Sequence, residues 1–429
     1  MAAAGCAKHA EPARSEAQAV APPAPPPAAA EPAAAAAEPV AATPPAPPAP
    51  PSDLASATRE NPLRPPAQPG PEVRNESAPP SGGPPKLSAL KLPPGFKIEV
   101  YATGVPNARS LTPGGRGIMY VSTRRDNRVY AVVDRNGDHK PEKVYTIAKG
   151  LDVPNGIAYK DGNLYIAQIG RLVRLDGIDA RLANPPAPVV VTEALPKETH
   201  HGWRYIRFGP DGLLYIPIGA PCNNCKRDES IFATIARMKP DGSDLEVFAS
   251  GVRNSVGFDW HPVTRELWFT ENGRDTLGND IPPDELDHAP RAGMHFGFPH
   301  CHAGVILDPE FGTRPCTEFE PPVQRLGAHV AALGMRFYTG AMFPPEYKNA
   351  IIIAEHGSWN REHKQGFRVM VVRLDGDKAA SYEPLVTGWL DDATQDVWGR
   401  PVDVEVLDDG SLLISDDWKG VLYRVTYKK

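Results

Sequence analysis

Gly209-Pro-Asp-Gly-Leu-Leu-Tyr-Ile216 runs a turn straight into a strand. Proline presets the first corner, glycine accepts positive φ at the last, and the following apolar and aromatic residues suit a pleated, buried surface. Five further phrases repeat the pattern: Gly114-Gly-Arg-Gly-Ile-Met-Tyr-Val121, Asp161-Gly-Asn-Leu-Tyr-Ile166, Thr264-Arg-Glu-Leu-Trp-Phe-Thr270, Glu346-Tyr-Lys-Asn-Ala-Ile-Ile-Ile353 and Asp408-Asp-Gly-Ser-Leu-Leu-Ile414. They recur at intervals of roughly 45 to 85 residues, and most precede a second apolar or alternating strand. Repeated strand–turn–strand units are the mark of propeller blades, so the chain reads as all-β, a single six-bladed β-propeller. One strand, Phe96-Lys-Ile-Glu-Val-Tyr-Ala102, precedes the first repeat, and the last repeat ends with the strand around Tyr423 to Tyr427. Pairing the two hides both open edges, which predicts that the chain ends share one blade.

Composition sets the outer limits. Length alone, at 429 residues, suggests two or three domains, but half of the 50 prolines lie before Phe96, mixed with alanine runs. Such a stretch has too little bulky apolar surface to offset ordering entropy. Residues 1–86 therefore read as a disordered tether, and 87–429 as the propeller. A net charge of −6 gives no footprint for nucleic acid or an anionic membrane. No run of 18 apolar residues is present.

Cys301 and Cys316 flank a loop whose closure by a disulfide contributes ~3 kcal/mol. Cys222-Asn-Asn-Cys225 lacks the histidine of a haem attachment site and the βαβ setting of a thioredoxin-like motif. Structural disulfides, free buried thiols and zinc pairs are the three readings of these cysteines, and disulfides place the domain outside the cytoplasm. Cys6, in Ala2-Ala-Ala-Gly-Cys6, resembles the lipidated cysteine of a bacterial lipoprotein, which makes it a candidate lipid anchor.

Chemistry concentrates just before the strands. His200 and His201 precede the third repeat, where a neutral imidazole at the axial end can accept a hydroxyl proton. Arg253 and Asn254 occupy the same place one blade later, and Arg400 precedes the last blade. Two arginines aimed at one axis suit a polyanion. Between the fourth and fifth repeats the spacing stretches by about 30 residues. That insert carries Asn272-Gly-Arg-Asp-Thr-Leu-Gly-Asn-Asp280 and Pro282-Pro-Asp-Glu-Leu286, oxygen-rich loops able to hold Ca²⁺. His295, His300 and His302 lack zinc-ligand spacing and read as loop histidines.

With these phrases together, residues 90 to 429 resemble the pyrroloquinoline-quinone-dependent soluble sugar dehydrogenases, most closely their sorbosone-dehydrogenase-like branch. The matching pieces are Phe208-Gly-Pro-Asp-Gly-Leu-Leu-Tyr215, Gly251-Val-Arg-Asn-Ser-Val-Gly257, Glu271-Asn-Gly-Arg-Asp275, Pro283-Asp-Glu-Leu286, Gly293-Met-His-Phe-Gly-Phe-Pro299, His356-Gly-Ser-Trp-Asn-Arg361 and Gly399-Arg-Pro-Val-Asp403. The resemblance implies His201 as general base. It implies Arg253, Asn254, Asn272, Asp284, Arg361 and Arg400 as cofactor contacts, and Gly273 and Arg274 as carbonyl ligands of Ca²⁺. Two departures stand out. Gly219-Ala220 replaces the usual Gly-Asp, so Glu198 or a backbone carbonyl must orient His201 instead. Pro154, beside Asn155, replaces a common glutamine.

The resulting expectation is a periplasmic or otherwise extracytoplasmic quinoprotein. It oxidises a sugar or sugar-derived aldehyde by hydride transfer to pyrroloquinoline quinone beside Ca²⁺, and passes electrons to an unidentified acceptor. A calcium-dependent lactonase and a cofactor-free secreted binding propeller are the competing readings, because fold alone does not choose among them.

Overall fold

The computed structural model describes residues 83–226 and 231–428. Cys6 and nearly all of the expected tether lie outside them. Six sheets form the six blades, and each turn phrase supplies the second strand of its blade. Blade 1 runs through Ala108–Pro113, Ile118–Thr123, Arg128–Val133 and Lys143–Lys149, and blades 2 and 5 repeat that order. The first strand of each blade is innermost, and these strands neighbour one another around the axis.

Closure follows the expectation. Phe96–Ala102 pairs antiparallel with Val421–Tyr427, Phe96 opposite Tyr427, and completes blade 6 with Leu412–Asp416 and Pro401–Val406. Phe96 also packs edge-on against Phe343 at 4.8 Å, which fastens the closing strand to blade 5.

Among the described residues the core is divided rather than central. Alternation along each strand sends apolar side chains to both faces, and six clusters form, one per blade interface. Between blades 3 and 4, for example, Tyr215 and Ile235 meet Phe258 and Phe269.

The insert falls later than the spacing suggested. Pro283–Ala289 is the third strand of blade 4, not a loop, and the excursion spans residues 290–323. It lends Met294–His295 to blade 3 as a fifth, parallel strand, and returns through Gln324–Ala328 to finish blade 4. Pro283–Ala289 looks unlike a strand because its buried positions include Asp284, Glu285 and Asp287. Of the three readings of the cysteines, disulfides are the one found, as Cys222–Cys225 and Cys301–Cys316, so zinc and free thiols are displaced for these four. Among the described residues no helix is long and apolar enough to cross a membrane.

Candidate active site

Two sets of loops meet at one end of the axis. One set leads into the innermost strands and carries His201, Arg253–Asn254 and Arg400. The other follows the second strands and carries Arg124, Ala220, Asn272–Gly273, His356 and Asp417.

His201 is buried, and its φ of 49° puts it in the left-handed region that non-glycine residues seldom adopt. Its Nδ1 lies 2.8 Å from the Ala220 carbonyl oxygen. A carbonyl only accepts, so Nδ1 carries the proton and Nε2 keeps its lone pair. The backbone carbonyl thus replaces the missing aspartate, and Glu198 does not. Burial first, then Arg253 and His200, hold the imidazole well below the ordinary 6.5 and keep it neutral. Gly219 makes the approach possible, since a Cβ there would lie 2.6 Å from His201 Cβ.

Arg253 is placed differently from the expected open fork. Its Nε donates to the Asn223 carbonyl at 2.7 Å, and Nη1 to the carbonyls of Asn272 and Gly273 at 2.9 Å each. Its Nη2 donates to Asn223 Oδ1 at 2.9 Å and Asp275 at 3.3 Å. The guanidinium is saturated by protein acceptors. The Asn272 and Gly273 carbonyls form a cation cradle that Arg253 itself fills. Ca²⁺ at Gly273 would share that carbonyl with Arg253 and lie beside a guanidinium of like charge. Asn254 donates to Asn272 Oδ1 at 3.3 Å, and Asn272 Nδ2 donates to the Ala332 carbonyl at 2.7 Å.

Asp284 lies beneath this loop rather than in the mouth. It accepts from the backbone N–H groups of Gly273 and Ala332, and burial raises its pKa to about 7. The Arg274 side chain makes a buried ion pair with Asp308, which also bonds His302 at 2.9 Å, and leaves the expectation for its backbone carbonyl untouched. Arg361 donates to Asn279 and Asp280 and joins two loops. His300 and His295 are likewise structural, bonded to the Phe311 carbonyl and the Gly297 N–H.

The other side of the mouth sets the expected Arg400 among residues that the sequence reading missed. Arg109, 2 % exposed, donates to Asn155 and Asp417, both at 3.0 Å. His356 lies 2.9 Å from the other oxygen of Asp417. Arg400 donates to the carbonyls of His356 and Gly357 at 3.2 and 3.1 Å. Arg124 stacks over Trp203, 3.8 Å from its centroid, and Trp203 meets His201 edge-on at 6.0 Å. Burial, then Arg109 and Arg400, lower Arg124 to about 9. Arg400 is lowered too, first by burial and also by Arg109 and Arg125, against Asp417. Positive charge is therefore in excess here. Comparing the same loop across all six repeats would have exposed Arg124 and Asp417.

Fold and site together define a six-bladed propeller whose axial mouth gathers arginines around a buried, neutral His201. The sequence profile of the Glucose / Sorbosone dehydrogenase family matches residues 166–424, and the chain belongs to that family. It is 34% identical over 357 residues to an uncharacterized protein of Borreliella burgdorferi, an alignment covering 80% of this chain and 92% of that one. In fold it is similar to the pyranose dehydrogenase PQQ domain from Coprinopsis cinerea, with a TM-score of 0.66 and 18% identity over 79% of this chain and 97% of that one. The PQQ-bound aldose sugar dehydrogenase from Streptomyces coelicolor gives a TM-score of 0.57 and 21% identity, covering 79% of this chain and all of that one. A Trichoderma reesei enzyme of family AA12 gives 0.70 and 19%, covering 79% and 97%.

Proposed function

We propose that this chain is a quinoprotein oxidoreductase that oxidises a sugar, or the hydrate of a sugar-derived aldehyde, at the axial mouth. The observation that carries the reading is the cluster of arginines around Asp417, Arg109 buried and Arg124 and Arg400 half-buried. Arg109, Arg124 and Arg400 suit a planar tricarboxylate such as pyrroloquinoline quinone, because burial strengthens each charge-assisted hydrogen bond. When bound, the quinone supplies a two-electron acceptor and a Ca²⁺ ion beside it a Lewis acid.

His201 supplies the proton chemistry. Nε2 takes the hydroxyl proton of the substrate, while the Ala220 carbonyl fixes the tautomer and stabilises the imidazolium that forms. Buried positive charge nearby favours the electron-rich product of hydride transfer and returns the imidazolium to neutrality. Ca²⁺ at the Gly273 carbonyl would repel the Arg253 guanidinium and favour its release. Arg253 freed in that way becomes a further cofactor contact, as the family resemblance implies.

The test is a titration of the purified protein with pyrroloquinoline quinone, with and without Ca²⁺, followed by tryptophan fluorescence and melting temperature. Saturable binding that weakens in Arg124→Ala, with turnover lost in His201→Ala, supports the reading. Absence of binding at micromolar quinone overturns it. The electron acceptor, an extracytoplasmic location and a lipid anchor at Cys6 belong to the same proposal.

A further inference from the structure

The loop after the second strand of blade 3 runs Gly219-Ala-Pro-Cys-Asn-Asn-Cys225, and a disulfide joins Cys222 to Cys225 across a separation of three residues. A bridge gains stabilising power with the length of chain it closes, so one this short adds little to the fold as a whole. Cys301–Cys316, with a separation of 15, is the bridge that serves stability. The short ring instead fixes the two asparagines inside it.

Asn223 holds three other residues. Its carbonyl oxygen accepts from Arg253 Nε at 2.7 Å, and its Oδ1 accepts from Arg253 Nη2 at 2.9 Å. The same Oδ1 accepts the Asp275 N–H at 2.9 Å, while Nδ2 donates to the Asp275 carbonyl at 3.1 Å and to Thr276 Oγ1 at 3.3 Å. Thr276 has a φ of 72°, which a β-branched residue seldom adopts, so this segment keeps its shape only while its neighbours hold it. Asn224 donates from Nδ2 to both oxygens of Asp308 at 3.2 Å, the carboxylate that pairs with Arg274. Within Arg253 the work is divided. Asn223 takes the Nε and Nη2 edge, and the Asn272 and Gly273 carbonyls take Nη1. A ligand that draws those two carbonyls away frees Nη1, and the Asn223 edge still aims the guanidinium.

We infer that Asn223 is a positioning residue for the axial mouth, and that the Cys222–Cys225 bridge makes its hold sensitive to dithiol reductants. Both cysteines of this bridge are partly exposed, whereas Cys301 is 2 % exposed, so a thiolate reaches the short bridge first. In the exchange one thiolate of the dithiol attacks a sulfur and the S–S bond breaks. The second thiol then closes the reagent into its own disulfide, and two electrons and two protons pass to Cys222 and Cys225. The open loop regains conformational freedom, which opposes the bonds from Asn223 to Arg253, Asp275 and Thr276. Arg253 and the segment after Gly273 loosen together.

The experiment uses the full chain, first without quinone. It is incubated with dithiothreitol, its thiols are alkylated and located by mass spectrometry, and hydrogen exchange is followed across residues 271–276. Cys222 and Cys225 are expected to be alkylated before Cys301 and Cys316. The Asp275 amide, which Asn223 Oδ1 protects, is expected to exchange about 10-fold faster once the short bridge opens, and equally so in Asn223→Ala. Cys222→Ser/Cys225→Ser gives the same acceleration without the reagent. The second part measures quinone affinity, and it alone rests on the quinone reading of the mouth. Kd should rise about 10-fold in the reduced protein and in Asn223→Ala. It should return toward wild type in Asn223→Asp, which keeps an acceptor for Arg253 and for the Asp275 N–H. A wild type that binds no quinone removes that reading, while faster Asp275 exchange still supports the positioning role. Unchanged Asp275 exchange in the reduced protein and in Asn223→Ala overturns the inference. So does a Cys222–Cys225 bridge that outlasts Cys301–Cys316 in the dithiol.

Discussion

Replacing Gly219 by alanine tests the placement of His201 without touching the histidine. The new Cβ would stand 2.6 Å from His201 Cβ and 3.2 Å from the Arg253 carbonyl, against ordinary contacts of 3.4–4 Å. The imidazole must therefore retreat by about 1 Å. A misplacement of that size costs on the order of 100-fold in rate, about 2.7 kcal/mol of barrier. The backbone at Gly219 lies outside the left-handed region, so alanine is conformationally allowed there. Overpacking costs the fold about 1–3 kcal/mol, which a domain of this size withstands. The assay is kcat with an artificial electron acceptor after reconstitution with quinone and Ca²⁺, beside a separate fluorescence Kd for the quinone. The expected result is a fall in kcat of about two orders of magnitude with quinone affinity within a few-fold of wild type. Wild-type kcat in Gly219→Ala refutes the reasoning, because the position of His201 would then not limit turnover.

Other consequences are open to direct measurement. Burial first, then Arg314 and His300, lower His295 to about 4 from the ordinary 6.5. Between pH 6.5 and 4 the unfolded chain takes up a proton at this residue that the folded chain refuses, so this histidine's contribution to stability falls as pH drops. His295→Gln should flatten the slope of unfolding free energy against pH in that window, and an unchanged slope contradicts the assignment. Replacing Cys301 and Cys316 together by serine should cost about 3 kcal/mol in denaturant unfolding, from the loop that the bridge closes. Arg336, 2 % exposed, donates to Glu405 at 2.8 Å and lies 3.7 Å from Asp403. Arg336→Met leaves Asp403 without its cation and Glu405 with Arg207 alone, and should cost about 3–5 kcal/mol; a loss under about 1 kcal/mol would remove this ion pair from any account of stability.

Reading the chain worked where local chemistry repeats. Each turn phrase announces the second strand of a blade because a buried central strand needs apolar and aromatic residues on both faces. Innermost strands were harder to see. Arg207–Phe208 is only two residues long, and the inner strands of blades 1, 5 and 6 each carry a register shift near their start. Pro283–Ala289 passed for a loop because its buried positions carry acids. The placement of His201 at the mouth was legible because it sits just before the strand of the third repeat, a local feature. The state of Arg253 was not, since Asn223, Asn272 and Gly273 surround it only after three loops converge. Arg109 and Asp417 are ordinary residues until 308 positions of chain are folded between them.

The pairing of Phe96–Ala102 with Val421–Tyr427 has a consequence for synthesis. A ribosome delivers the first strand hundreds of residues before its partner, so the ring stays unclosed until its final seven-residue strand emerges. Until then an inner neighbour in blade 6 and the waiting amino-terminal strand both offer unpaired backbone, the condition under which chains join edge to edge. Loss of Val421–Tyr427 alone therefore removes more than one strand. It converts a closed circle into an arc with two adhesive ends, and a carboxy-terminal nick of a few residues becomes an aggregation lesion rather than a frayed tail.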